Sequence, residues 1–139
     1  MNETIFSKIL AGEAEASFVY QDELVSAFLD IDPINLGHTL VIPNQPAASL
    51  AELNDETAAR MFNVARRIAA TIRKSDIPCD GINLLLADGE AAGQEVFHSH
   101  LHVIPRIYGD GFRFRRTARP PTQDRDALNS IAGMIRKYL

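Results

Sequence analysis

Cysteine is almost absent from this chain: Cys79 stands alone among 139 residues. A single thiol excludes an internal disulfide and any CxxC metal or redox pair, and it fits a reducing compartment. Long hydrophobic runs are missing too. The longest, Ile82 to Ala87 around Asn83, is strand-sized and far short of the roughly 18 residues of a membrane span. An excess of positive charge is also lacking, since 14 Lys and Arg face 18 Asp and Glu for a net charge of -4. That balance argues against a general nucleic-acid binder. The opening MNETIFSKIL has no basic stretch ahead of an apolar one, so it does not read as a secretory signal. Internal repeats and low-complexity tracts are absent. What remains is a chain 46% hydrophobic and 23% charged, the size of one domain and able to bury a core. The expectation is a single cytoplasmic domain over 1–139, with neither membrane nor nucleic acid as partner.

Glycine, proline and polar clusters punctuate the chain at Asp32-Pro33, Gly37, Pro43, Pro46, Pro78, Gly81, Asp88 to Gly93, Gly109 to Gly111 and Pro120-Pro121. Between these marks Ile5, Phe6, Ile9 and Leu10 have helical spacing. Ser17 to Tyr20 and Leu24 to Leu29 read as a hairpin, and Thr39 to Ile42 as a strand stopped by Pro43. Asn54 is placed to cap a long helix whose apolar stripe is Ala58, Met61, Ala65, Ile68 and Ile72. Gly81 to Ala87 and Val96 to Ile104 read as two more strands. Thr122 to Leu139 reads as a final helix with Leu128, Ile131, Ala132, Ile135 and Leu139 on one face. Strands joined by short loops around one long helix predict an α+β fold with an antiparallel sheet of about five main strands.

Three of the four histidines are His98, His100 and His102. On a strand this spacing sends all three side chains to one face, with Ser99, Leu101 and Val103 on the other. Gathering imidazoles this way costs desolvation, and mutual repulsion if they are protonated, so a purely structural role explains them poorly. Two chemistries compete. Imidazoles form catalytic zinc sites, and a neutral imidazole is also a nucleophile in group transfer. A metal hydrolase would want a carboxylate beside the triplet. The only candidate nearby in sequence, Glu95, would face away from His98 on a strand.

The segment Gly93-Gln94-Glu95-Val96-Phe97-His98-Ser99-His100-Leu101-His102-Val103-Ile104 resembles the signature of the histidine triad (HIT) superfamily. So do Phe28-Leu29-Asp30-Ile31-Asp32-Pro33 with Gly37-His38-Thr39-Leu40-Val41-Ile42-Pro43, and the opening Thr4-Ile5-Phe6-Ser7-Lys8-Ile9. These motifs cover most of 1–106 in the family's order and leave 107–139 as an unexplained C-terminal extension. The resemblance implies the HIT fold, no cofactor, a homodimer joined through the long helix and a central strand, and a purine nucleotide substrate. It assigns His100 as the nucleophile that attacks an α-phosphorus, with His98, His102 and His38 in support. It makes Asp30 the partner of the ribose hydroxyls, although alone Asp30 reads as the start of an Asp-Ile-Asp-Pro turn. Ile5, Phe6, Ile9, Phe28 and Ile31 match a purine pocket, while Gln94 and Glu95 are assigned to substrate binding.

The chain departs from the family pattern at three places. Glu95 replaces a small hydroxyl residue, and Ala87 replaces a polar amide. Zinc-containing members carry ligands at positions matching Thr4, Ser7, Pro46 and His98, and three of those four are not ligands here. A structural zinc is therefore not expected. The function implied is hydrolysis of purine nucleoside phosphoramidates or related monophosphate derivatives. A dinucleoside polyphosphate hydrolase is the alternative inside the family, and a nucleotide-binding regulatory module the alternative outside enzymology. Beyond the motifs, 106–119 holds Arg106, Arg113, Arg115, Arg116 and Arg119 against Asp110 alone. The alternation Phe112-Arg113-Phe114-Arg115 is that of an extended segment placed to cover the phosphate end of the site, its own or a dimer partner's.

Overall fold

Thr4 and Ser7 start the first helix, α1 (Ile5–Leu10), by capping each other. The Thr4 hydroxyl accepts from the Ser7 amide at 3.2 Å and the Ser7 hydroxyl from the Thr4 amide at 2.8 Å. The computed structural model describes residues 3–139. A hairpin follows, β1 (Phe18–Gln21) and β2 (Val25–Leu29), turned by Asp22, whose carboxylate accepts the amides of Leu24 and Val25 at 2.8 Å each. Strand β3 (Thr39–Pro43), helix α2 (Asp55–Lys74), strands β4 (Gly81–Leu85) and β5 (Leu101–Arg106), and helix α3 (Arg125–Arg136) complete the order. The five strands form one sheet in the order β1-β2-β3-β5-β4, every neighbouring pair antiparallel. This is the α+β architecture expected.

Each face of the sheet has its own apolar layer, because side chains alternate along a strand. Val25, Ala27, Val41 and Val103 point to one side and pack under α2 with Met61, Val64, Ala65 and Ile72. Phe28, Leu40 and Ile42 point to the other and pack with Phe6 and Ile9 of α1. Asn54 caps α2 as anticipated, accepting the Thr57 amide at 2.8 Å. The buried stripe of α2 is displaced from the expected one: Thr57 and Val64 are inside while Ala58 is exposed. Thr57, Met61, Val64, Ala65 and Ile72 are the set whose rotation at 100° per residue faces the sheet, and Ala58 falls on the flank.

Two further expectations change. The strand anticipated over Val96 to Ile104 begins only at Leu101 and runs on through Pro105 to Arg106. The preceding residues leave the ladder, since the Ser99 amide donates to the Ala47 carbonyl and the His98 ring bonds the Pro43 carbonyl. The C-terminal helix starts at Arg125, where Asp124 caps it, and the apolar residues Leu128, Ile131 and Ile135 stay exposed in the chain.

Ser99 is 1% exposed, and its hydroxyl has no hydrogen-bond partner among the described residues. Burying an unpaired hydroxyl costs about 1 kcal/mol or more. Ser99→Ala is therefore expected to stabilise the protein by about 1 kcal/mol, read as a higher midpoint in thermal or urea unfolding.

Candidate active site

One cross-strand row sets the floor of the site. Phe28 of β2 lies opposite Leu40 of β3, and Leu40 lies opposite His102 of β5, so all three side chains share a face. Above this row opens a cavity of about 580 Å³, within the usual range for small-ligand sites. His38, His100 and His102 line one part of it. Ile5, Phe6, Ile9, Phe28, Leu40 and Val96 supply apolar wall, and Asp30, Ile31 and Glu95 also face in. His98 does not line the cavity. It lies buried behind it, with its ring 6.0 Å from that of Phe6, so the three imidazoles do not share one open face. The reason is the early end of β5: only His102 is on the strand, and His98 and His100 sit on the irregular approach to it.

Main-chain groups set the tautomers of His98, His100 and His38, and His38 sets that of His102. The Pro43 carbonyl accepts the Nε2–H of His98 at 2.8 Å, which holds this imidazole in place. The His98 carbonyl in turn accepts from His100 Nδ1 at 2.7 Å, so Nδ1 carries the proton and the Nε2 lone pair of His100 is free. On the facing loop the Ile34 amide donates to His38 Nδ1 at 3.0 Å. A neutral His38 must then carry its proton on Nε2, which lies 2.8 Å from His102 Nδ1 and donates to it. His102 is left with its proton on Nε2 as a donor. The result is a nucleophilic nitrogen on His100 beside an N–H donor on His102, with ring centroids 4.9 Å apart.

Burial keeps these rings neutral. It pushes His38, His98 and His100 below the ordinary 6.5, with the carboxylate of Asp30 opposing it at His38 and His100. His102 falls furthest, to about 4, through burial and then its proximity to His100 and His38. Below pH 6.5 the unfolded chain binds protons at these positions that the folded chain refuses, so stability is lost as the pH falls. The melting temperature is expected to drop between pH 6.5 and about 4. Replacing His102 by Gln is expected to flatten part of that slope in a pH series of melting curves.

Asp30 leaves the end of β2 beside this pair, with Oδ2 3.6 Å from His38 Nε2 and Oδ1 accepting the Asp32 amide at 2.9 Å. The donor atoms of Asp30, His38 and His102 lie within 4.8 Å of one another, close enough to suggest a cation site. The tautomers speak against one: His38 Nε2 would present a proton to the metal, and the Ile34 amide blocks the alternative tautomer. The positions of the family's structural zinc are also otherwise employed. Thr4 and Ser7 cap α1, and His98 Nε2 is turned to the Pro43 carbonyl.

Gln94, assigned to substrate binding, is absent from the cavity wall. Its side chain is buried and spent on the loop, accepting the Gly89 amide and donating to the carbonyls of Ala48 and Val96. Glu95 next to it does face the cavity. Ile5 and Ile31 are half or more exposed at the mouth, whereas Phe6, Ile9 and Phe28 are buried wall. Sequence reasoning missed Glu15, Ala16, Leu29, Asp32, Ile34, Leu40, Gly93 and Val96 as parts of the wall. Ile34 contributes through its amide, which no side-chain pattern reveals, and Glu15 follows α1 with no motif around it. Among the described residues no arginine lines the cavity. Arg106 is instead clamped by both Asp110 oxygens, by Asn83 and by the Phe112 carbonyl, and this clamp holds the start of 106–119 at the opposite edge of β5 beside β4. The segment does not cover the chain's own phosphate end as anticipated, although Phe112 and Phe114 do share a side, edge to face at 5.5 Å.

Gly37 closes the loop that carries Ile34. Its φ of +89° suits glycine, and a Cβ there would come within 3.2 Å of Ile77. Asp30 and His38 are thereby held opposite each other, the Asp30 amide donating to the His38 carbonyl at 2.9 Å.

Known proteins are similar to this chain in fold and sequence. A solved structure of a HIT family protein from Bacillus anthracis superposes with a TM-score of 0.90 at 40% identity, covering 97% of this chain and 96% of that one. Protein hit of Bacillus subtilis is 43% identical over 136 residues, 97% of this chain and 93% of its own length. Adenylylsulfatase HINT3 of Arabidopsis thaliana is 37% identical over 105 residues, 76% of this chain and 53% of its own. With the HIT domain model matching residues 11–108, this chain belongs to the HIT family.

Proposed function

We propose that this protein hydrolyses purine nucleoside 5'-phosphate derivatives whose leaving group is neutral or cationic, phosphoramidates above all. The observation that carries this reading is the charge of the cavity. Glu15, Asp30, Asp32 and Glu95 line it, no lysine or arginine among the described residues does, and burial keeps its imidazoles uncharged. Such a site repels a polyphosphate leaving group and tolerates an amine. A relative from Arabidopsis is named an adenylylsulfatase, which supports a nucleotide substrate.

In the proposed reaction His100 Nε2 forms a bond to the α-phosphorus while the phosphorus–nitrogen bond to the leaving amine breaks. That nitrogen takes up a proton from solvent at the open mouth beside Glu95 and departs as the amine. Water then attacks the same phosphorus, its proton passes to solvent, and the bond to Nε2 breaks to release the nucleoside monophosphate and restore neutral His100. Throughout, His102 Nε2–H donates to a phosphoryl oxygen, and Asp30 accepts from the ribose hydroxyls. The protein works as a homodimer in this reading, which the uncovered apolar residues of α3 support.

The deciding measurement compares adenosine 5'-phosphoramidate with diadenosine tetraphosphate as substrates of one preparation. kcat/KM is expected to favour the phosphoramidate by about 100-fold or more, the scale of unscreened repulsion between several charges. Equal or better turnover of the polyphosphate would overturn the reading.

A further inference from the structure

Three of the cavity's four carboxylates belong to its histidine end. Asp30 and Asp32 act electrostatically on His38, and Glu95 stands on the loop that leads into the triplet. Glu15 lies elsewhere, on the connection from α1 to β1. Ala14 and Ala16 on either side of it pack against the Phe6, Ile9 and Phe28 cluster, so the backbone at Glu15 is anchored to the apolar end. Its own side chain is exposed, lines the cavity, and forms no salt bridge among the described residues.

We infer that Glu15 reads the edge of the base and makes the site prefer guanine to adenine. The inference rests on the nucleotide reading above. With phosphate at His100 and ribose at Asp30, a purine lies among Ile5, Phe6, Ile9 and Phe28, and its far edge meets Glu15. Guanine presents two adjacent donors there, N1–H and the 2-amino group, which match the two acceptor oxygens of a carboxylate. Adenine presents one donor, its 6-amino group, beside the bare N1 acceptor. A carboxylate has no proton to offer N1, so acceptor faces acceptor. An amide in the same place removes this preference, because its one donor and one acceptor pair with adenine's 6-amino group and N1 and equally with guanine's O6 and N1–H.

Equilibrium binding of guanosine and adenosine 5'-monophosphate to the wild type, Glu15→Gln and Glu15→Ala tests the assignment. The wild type is expected to bind the guanine nucleotide about tenfold more tightly, the scale of one charge-assisted hydrogen bond. Glu15→Ala and Glu15→Gln are both expected to bring the ratio near one. A wild-type preference for adenine, or a ratio that neither substitution moves, overturns the role of Glu15 and leaves the nucleotide reading intact. Failure of both nucleotides to bind at millimolar concentration overturns that reading, and this inference with it.

Discussion

His100→Asn is expected to lower turnover by about a thousandfold or more while changing nucleotide affinity less than about tenfold, as for loss of a covalent nucleophile. Asparagine is the informative substitute. Its side-chain amide can still donate to the His98 carbonyl, which now receives the ring Nδ1–H at 2.7 Å, so the approach to β5 keeps its bond. What is lost is the free Nε2 lone pair, together with the ring's edge contacts to Phe6 and His102. Single-turnover kinetics and direct binding separate the two effects. Because the proposed step is covalent, His100→Gly should recover part of its rate when free imidazole is added. A rate near wild type in His100→Asn would show that another group attacks.

His38→Phe is expected to cut kcat by about 10–100-fold with little change in KM, the scale of a partner that orients a reacting group. The argument is the chain of donors from the Ile34 amide through His38 to His102. Phenylalanine fills the space but offers His102 Nδ1 no donor, so His102 is no longer confined to the Nε2–H tautomer. Stability falls as well, by about 1–3 kcal/mol, because the Ile34 amide loses its acceptor in a part-buried place. Nitrogen-15 shifts of the His102 ring distinguish the two consequences. Wild type should show the Nε2–H tautomer alone and His38→Phe a mixture, a change that general loosening of the fold does not produce.

The elements were legible wherever local chemistry decides them. Asn54 with Asp55 and Glu56 marked the start of α2, and the β1–β2 hairpin followed from two β-rich runs around Asp22. The α2 stripe was read nearly correctly, the error at Ala58 arising because a period of 3.6 leaves the flanking positions to be settled by whatever packs there. The final helix was legible too, but not the state of its apolar face, since periodicity says that a face is apolar and not what covers it.

For the site, the sequence by itself determined which side chains have the chemistry: a triplet of imidazoles, a fourth at His38, and Asp30 between apolar neighbours. The tertiary structure decided where each of them sits and which group it meets. Spacing alone put His98, His100 and His102 on one face, yet His98 turns inward, where the Pro43 carbonyl, 55 positions away, accepts a hydrogen bond from its ring. The tautomers of His38 and His102 depend on the Ile34 amide and on a contact across 64 positions, and Gln94 became part of a loop through the Ala48 carbonyl. Main-chain donors and acceptors are the same at every residue and leave no mark in a sequence. Which of them meets a given ring is settled only when the strands have taken their register and the loops have closed.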